Sequence, residues 1–161
     1  MIKKVSTAKD VNEVVALAKE IWTDHYTPFL ADGQVPYMLQ KFQSRTAIKR
    51  QMAEGHNYFL IGDSQSSFGY FDFVMESDVI FISKFYLLTS ARSKGFGKRV
   101  LDFITERAKE AQLLKLRLTV NKYNGVAISF YQKAGFIQSK SVVVDIGNGF
   151  VMDDFVYEKG I

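Results

Sequence analysis

The sequence predicts an α/β (α+β) fold, a mixed and mostly antiparallel central sheet flanked by helices. Three patterns predict it. Apolar residues recur at helical spacing in several segments, among them Val11 to Trp22 and Val100 to Ala111. The stretch Val79 to Leu88 is an almost unbroken apolar and aromatic run, as expected of a central strand buried on both faces. Leu114, Leu116, Leu118 and Val120 alternate with Lys115, Arg117 and Thr119, the period of a half-buried strand.

Taken in order, Ile2 to Ser6 reads as a short strand. Asp10 is the expected N-cap of the first helix, with Glu13 three residues on in capping-box spacing. A loop carrying Pro28, Gly33 and Pro36 leads to short helices around Val35 to Phe42 and Thr46 to Met52. Asn57 to Ile61 and Phe68 to Met75 read as hairpin strands around the turn-rich Gly62 to Ser67. Ser77-Asp78 turns the chain into Val79 to Leu88. Gly95 to Gln112 follows as a helix, with Val100, Leu101, Ile104, Ala108 and Ala111 on one face, and then the strand Leu114 to Val120. Gly125 to Ala134 is a helix with Gly135 as its C-cap. Phe136 to Asp145 and Phe150 to Glu158 close the chain as a hairpin around Gly147-Asn148-Gly149. The order is β-α-α-α-β-β-β-α-β-α-β-β.

The 161 residues contain no repeat, linker or low-complexity tract, so residues 1–161 are expected to form one domain. A chain of this length buries roughly 70% of its unfolded surface. With 47% hydrophobic residues, 14 Phe and 8 Tyr, a packed core is expected and disorder is excluded. There are no cysteines, which removes disulfides, thiolate metal sites and cysteine nucleophiles from consideration. With two His, no H-E-x-x-H and no carboxylate cluster, no metal is expected. No apolar stretch has the length of a signal or a membrane span, so the expectation is a soluble, cytoplasmic protein without a membrane partner. The net charge of +4 fits an anionic partner, either nucleic acid or a phosphorylated cofactor. Lys and Arg are spread along the chain with one cluster, which argues against a nucleic-acid face.

That cluster is Arg92, Lys94, Lys98 and Arg99, in the segment Leu87 to Arg99 between a buried strand and a helix. A helix N-terminus offers unpaired N–H groups and partial positive charge, and glycines let those groups approach a phosphate. A Cβ at Gly95 or Gly97 would crowd a phosphate or force an unfavourable backbone angle. A dinucleotide fingerprint fails because Gly95 and Gly97 are followed by Val100. A Walker loop fails because Arg92 and Arg99 stand where it needs Gly and Ser or Thr. What remains is R-x-x-G-x-G.

Arg92-x-x-Gly95-x-Gly97, followed by Asn121-x-x-Asn124-x-x-Ala127-x-x-x-Tyr131-x-Lys133-x-Gly135-Phe136, resembles the GNAT family of N-acetyltransferases. With the preceding strand the resemblance spans residues 79–136. It implies a GNAT-like acyl-CoA acyltransferase fold with acetyl-CoA as co-substrate. It also implies that backbone groups of Phe85 and Leu87 pair with the pantetheine amides like an added strand. Backbone N–H groups of Arg92, Ser93, Lys94, Gly95, Phe96, Gly97 and Lys98 would hold the pyrophosphate, Asn124 would bond the cofactor near its pantetheine, and Tyr131 would face the thioester sulfur. Asn124 also reads as a helix N-cap and Tyr131 as a core aromatic beside Phe130; the two readings of Asn124 are compatible.

For an amine attacking a thioester, holding the two reactants together supplies several kcal/mol of the barrier. A phenol with an ordinary pKa of about 10 can protonate the leaving thiolate, which is the role implied for Tyr131. The attacking amine must be neutral, so a base is needed as well. Asp72, Glu76, His25 and Asp154 are the candidates, and the sequence does not choose among them.

The acceptor would meet the loop Ile21 to Leu30, with Asp32 and Tyr37 beyond, where aromatics and acids could wall a cationic amine or simply pack. Ile21 to Leu39 and Asp145 to Glu158 also resemble the polyamine (spermidine/spermine) acetyltransferase branch of the family. The expected reaction is transfer of acetyl to a small primary amine by direct attack in a ternary complex. A protein N-terminal or lysine acetyltransferase and a non-catalytic acyl-CoA-binding module are the alternatives. A homodimer is compatible with the sequence.

Overall fold

Thr7 opens the first helix through a reciprocal pair of hydrogen bonds. The computed structural model describes residues 1–161, and in it Asp10 N donates to Thr7 Oγ1 (3.1 Å) while Thr7 N donates to Asp10 Oδ2 (3.0 Å). Thr7 is therefore the N-cap and Asp10 the third helical residue, one turn earlier than the sequence suggests. The reason is the extra support Asp10 receives. Ser6 N and Lys3 Nζ also donate to its carboxylate, at 3.1 and 2.6 Å, so the buried acid is satisfied inside the box.

Helix α1 (Ala8–Tyr26) is followed by α2 (Gln34–Phe42), α3 (Arg45–Ala53), α4 (Phe96–Glu110) and α5 (Gly125–Lys133). The strands are β1 (Ile2–Lys4), β2 (Asn57–Gly62), β3 (Ser67–Glu76), β4 (Val79–Leu87), β5 (Lys115–Asn121), β6 (Ile137–Gly147) and β7 (Phe150–Gly160). They form one mixed sheet in the order β1-β2-β3-β4-β5-β7-β6. By internal contacts the chain divides into two compact units, Met1–Val74 with Lys84–Gly97, and Met75–Ser83 with Lys98–Ile161.

In the first unit β1, β2 and β3 pair antiparallel, with Lys3↔Leu60, Leu60↔Tyr70 and Tyr58↔Asp72 in register. Side chains alternate across a strand, so the two faces differ. One face carries phenylalanines: Phe59 stacks on Phe71 and Phe73, with ring centroids 4.9 and 5.8 Å apart. The other carries tyrosines, Tyr58, Tyr70 and Tyr86. Helix α1 covers this face, setting Trp22 and Tyr26 against Tyr86. The tyrosine hydroxyls need partners because they are buried. Tyr58 donates to Gln51 Oε1 (2.6 Å) and Tyr70 to Gln43 Oε1 (2.8 Å), while Tyr26 and Tyr86 share a hydroxyl bond of 2.8 Å. Gly69 is required here, since a Cβ would lie 2.6 Å from the Tyr86 carbonyl and 2.5 Å from Leu87 Cδ2.

In the second unit β4 pairs with β5 in parallel, from Val79↔Lys115 to Ile82↔Leu118. Parallel neighbours need a crossover, and α4 supplies it. Its apolar face buries Val100, Leu101, Ile104 and Ala108. Ala111 lies beyond its last turn and is exposed, as is Leu114 ahead of β5, so the alternating run begins in effect at Leu116. β5, β7 and β6 are antiparallel, with Leu118↔Tyr157 and Asn121↔Asp154 in register. Asn148 and Gly149, both at positive φ (54° and 77°), form the two-residue turn of the closing hairpin.

Candidate functional site

Two-sided burial of the apolar run holds only for the first part of β4. Val79, Ile80 and Ile82 are buried, whereas Phe85, Tyr86 and Leu87 are half-buried. Leu88 then ends the strand, its N–H bonded to Phe68 O (2.9 Å), and a single 3₁₀ turn, Thr89–Ala91, redirects the chain. Arg92 does not extend away from this turn. Its Nε donates to Leu87 O at 3.2 Å and ties the loop to the strand end. That bond was not foreseeable from the spacing of R-x-x-G-x-G, since it depends on the 3₁₀ turn.

Ser93, Lys94 and Gly95 are exposed, and Phe96 and Gly97 half-buried. Ser93 (φ 59°) and Gly95 (φ 80°) both take left-handed backbone, so consecutive N–H groups change direction over a few residues. Apart from Gly95 itself and its two chain neighbours, no protein atom lies within 4 Å of where a Cβ on Gly95 would stand. Of the two expectations for that glycine, the backbone angle is realised, and the space beside it is open. Helix α4 starts at Phe96, without an acidic residue in its first turn. An anion there meets partial positive charge and no fixed negative charge. Lys98 is exposed and pairs with Asp102 at 2.6 Å one turn on. An open glycine at positive φ, ahead of a 15-residue helix with no acid at its start, suits a pyrophosphate.

Asn124 and Tyr131 belong to the second unit. Asn124 caps α5, its Oδ1 accepting from Ala127 N at 3.2 Å, and it is buried. The turn ahead of it is held by Asn121, whose Oδ1 accepts from Tyr123 N (2.9 Å) and whose carbonyl accepts from Asn124 N (2.9 Å). Tyr131 is the buried residue of α5, with Phe130 and Phe136 ring centroids 5.2 and 5.6 Å away.

The four candidate bases stand in different surroundings. Asp72 is fully buried, and its Oδ2 accepts from His56 Nδ1 (2.6 Å) and Lys84 Nζ (3.2 Å). Burial pushes the Lys84 ammonium below its ordinary value, and Asp72 opposes the shift. Glu76 is exposed and 3.9 Å from Arg117. His25 is half-buried; burial and then the positive charge of Arg92 lower its pKa. Asp154 is buried, and burial, followed by the neighbouring Asp153, raises its pKa to about 6. The Asp72–His56–Lys84 cluster was missed as a cluster, although an acid inside the apolar run Phe68 to Met75 is its signal.

The segment Ile21 to Leu30 is not all loop, because α1 continues to Tyr26. Trp22 and Tyr26 are core residues of the tyrosine face, so their aromatic character serves packing. Beyond them a cavity of about 260 Å³ is lined by Thr23, Thr27, Leu30, Asp32 and Val35, among others. No group of three or more His, Asp or Glu side chains could hold a metal, and no helix is long and apolar enough to cross a membrane.

Comparison with known proteins bears on the fold and the family. The chain is similar to spermidine N(1)-acetyltransferase of Thermoplasma acidophilum, 23% identical over 157 residues, covering 94% of each chain. Its fold is similar to that of PaiA N-acetyltransferase from Thermoplasma acidophilum, solved in complex with coenzyme A. The TM-score is 0.83 at 21% identity, covering 100% of this chain and 98% of that one. The ribosomal-protein-S18-alanine N-acetyltransferase of Escherichia coli shares the fold at a TM-score of 0.71 and 15% identity, over 100% and 93% of the two chains. The acetyltransferase (GNAT) domain profile matches residues 26–152, so the chain belongs to the GNAT family and is an acetyl-CoA-dependent acyltransferase.

Proposed function

We propose that the protein transfers the acetyl group of acetyl-CoA to the nitrogen of a small primary amine, a polyamine being the favoured acceptor, by direct attack with both substrates bound. The observation that carries this reading is the turn from Arg92 to Lys98. It offers left-handed backbone at Ser93 and Gly95, open space beside Gly95 and a long helix behind it. Acetyl-CoA supplies an acetyl thioester. The chain binds its pyrophosphate through the N–H groups from Ser93 to Lys98, the Arg92 N–H being bonded to Thr89 O (3.2 Å) instead, and its pantetheine through the backbone of Phe85 and Leu87, with Asn124 adding a side-chain contact. Tyr131 donates its phenolic proton to the departing sulfur.

A polyamine is favoured by the similarity to a spermidine acetyltransferase over nearly the whole chain. The cavity beside α1 is consistent with it, since Asp32, Thr23 and Thr27 are among its lining residues and a carboxylate there suits an ammonium group. Residues 1–161 work as one domain in this reading, and the enzyme acts in the cytoplasm.

The test is a panel of amines, including spermidine, spermine, lysine, a peptide with a free N-terminus and small monoamines, incubated with acetyl-CoA while free thiol is followed. Thiol release that depends on polyamine and saturates is the expected result. Release with the peptide alone would replace the small-amine reading by a protein acceptor. Calorimetric titration alongside should show saturable acetyl-CoA binding and none of comparable strength for NAD.

A further inference from the structure

Asp154 differs from the other buried acids in having no cationic partner, whereas Asp72 also leaves its Oδ1 unpaired but is held through Oδ2 by His56 and Lys84. Asp10 accepts hydrogen bonds from Lys3, Ser6 and Thr7, and Asp72 accepts from His56 and Lys84. Asp154 is more than nine-tenths buried, and its Oδ1 has no hydrogen-bond partner. Leaving a buried polar atom unpaired costs about 1–3 kcal/mol, so such a group is expected where chemistry needs it. Its position is specific. On β7 it stands in register with Asn121 at the end of β5, and Asn121 builds the turn that carries Asn124 and leads into the helix of Tyr131. Directly opposed residues of an antiparallel pair project on the same face, so Asp154 shares its face with Asn121. Across β6 its register partner is Val142, which offers no hydrogen bond.

We propose that Asp154 is the proton acceptor of the acetyl transfer, taking the proton that the amine nitrogen gives up as it attacks. This rests on the N-acetyltransferase reading above and adds the missing base to it. The nitrogen lone pair forms a bond to the acetyl carbon, which makes its N–H acidic. Asp154 takes that proton while the carbon–sulfur bond breaks and the sulfur takes a proton from the Tyr131 hydroxyl. Asp154 then releases its proton to solvent, and the Tyr131 oxygen regains one. A neutral amine and acetyl-CoA thus give the amide and CoA thiol with no net change in protons. A carboxyl that titrates near pH 6 is ionised at neutral pH and still basic enough to accept the proton.

The charged surroundings are simple. Burial and then the charge of Asp153, next on the strand, raise Asp154, and Lys122 just beyond β5 is paired with Asp153. The facing positions Asn121 and Val142 carry no charge. kcat should therefore rise with pH through about 6 and level off above it.

The experiment compares the wild type with Asp154→Asn and Asp153→Asn. Asp154→Asn is isosteric and removes a buried charge, so it should fold and be more stable than the wild type at neutral pH. Its kcat should fall about 10²–10⁴-fold with unchanged CoA affinity, and the rise near pH 6 should vanish. Asp153→Asn should keep the rate and move the rise to lower pH. A wild-type kcat and pH profile in folded Asp154→Asn would overturn the proposal. Should no amine of the panel be acetylated, the slow hydrolysis of acetyl-CoA is compared instead, because water must also lose a proton. A slower hydrolysis in Asp154→Asn then upholds Asp154 while the amine reading fails, and equal or absent hydrolysis overturns both.

Discussion

Tyr131 sits among apolar rings, and this makes its hydroxyl separable from its packing. Tyr131→Phe keeps the ring contacts with Phe130 and Phe136 and removes one oxygen. Thermal stability should change little, CoA affinity should hold, and kcat should fall about 10²–10⁴-fold if the phenol is the acid. The loss should shrink with an acyl donor whose leaving group needs no protonation, and a steady-state assay with both donors measures this. Two acids report on the fold with opposite signs. Asp10 is held below the ordinary carboxylate range by Lys3 and by backbone N–H groups. Its contribution is present above pH about 3.8 and is lost as the pH falls through its lowered value. Asp154 is raised, so it weakens the fold as the pH climbs from 3.8 to about 6. Chemical unfolding across pH 3 to 7 should show stability falling with rising pH over that interval less steeply in Asp154→Asn than in the wild type. Thr7→Ala should lower stability by about 0.5–2 kcal/mol through loss of the cap.

At the level of elements, the helices and strands were legible because their apolar spacing is strict, as in Val100, Leu101, Ile104 and Ala108 of α4. The turn from Arg92 to Gly97 was legible for the same local reason, since glycine ahead of an amphipathic run marks a helix start, here at Phe96. What escaped the sequence depends on residues far apart in the chain. Thr7 rather than Asp10 is the cap because Lys3 and Ser6 draw Asp10 into the box. The aromatics Trp22 and Tyr26 could have walled an acceptor or packed, and Tyr86 of β4 packs against both. Asp154 was one of four candidate bases, three acids and a histidine, until its register and its lack of a cationic partner distinguished it. Gly69 links such remote packing to the cofactor segment. A Cβ there meets the Tyr86 carbonyl, which is backbone and cannot swing aside. Gly69→Ala should therefore displace the end of β4 at Leu87 and weaken CoA binding, although residue 69 lies outside the glycine-rich turn. Calorimetry on the folded variant checks this; unchanged affinity would mean that the strand absorbs the shift elsewhere.

On the scale of the whole molecule, the two compact units do not correspond to two stretches of chain. The chain passes from one to the other between residues 74 and 75, 83 and 84, and 97 and 98, inside β3, inside β4 and within the first turn of α4. Each passage lies inside a helix or a strand, so neither unit is one continuous stretch of chain. Neither half can be cut out as a contiguous fragment with its sheet intact. The expected behaviour is that of one domain unfolding in a single cooperative transition. The lone tryptophan provides the means to test this. Trp22 lies in the core of the first unit and reports on it through fluorescence. Leu116, Leu118 and Val120 lie in the core of the second, and their methyl resonances report on it separately. Urea titrations followed by the two probes should give coincident midpoints and slopes. Saturating acetyl-CoA should move both midpoints together, because a ligand that binds only the native state stabilises it by RT ln(1 + [L]/Kd), about 2.7 kcal/mol at a hundredfold excess over Kd. Separate midpoints, or a ligand shift in one probe alone, would show instead that the units unfold independently.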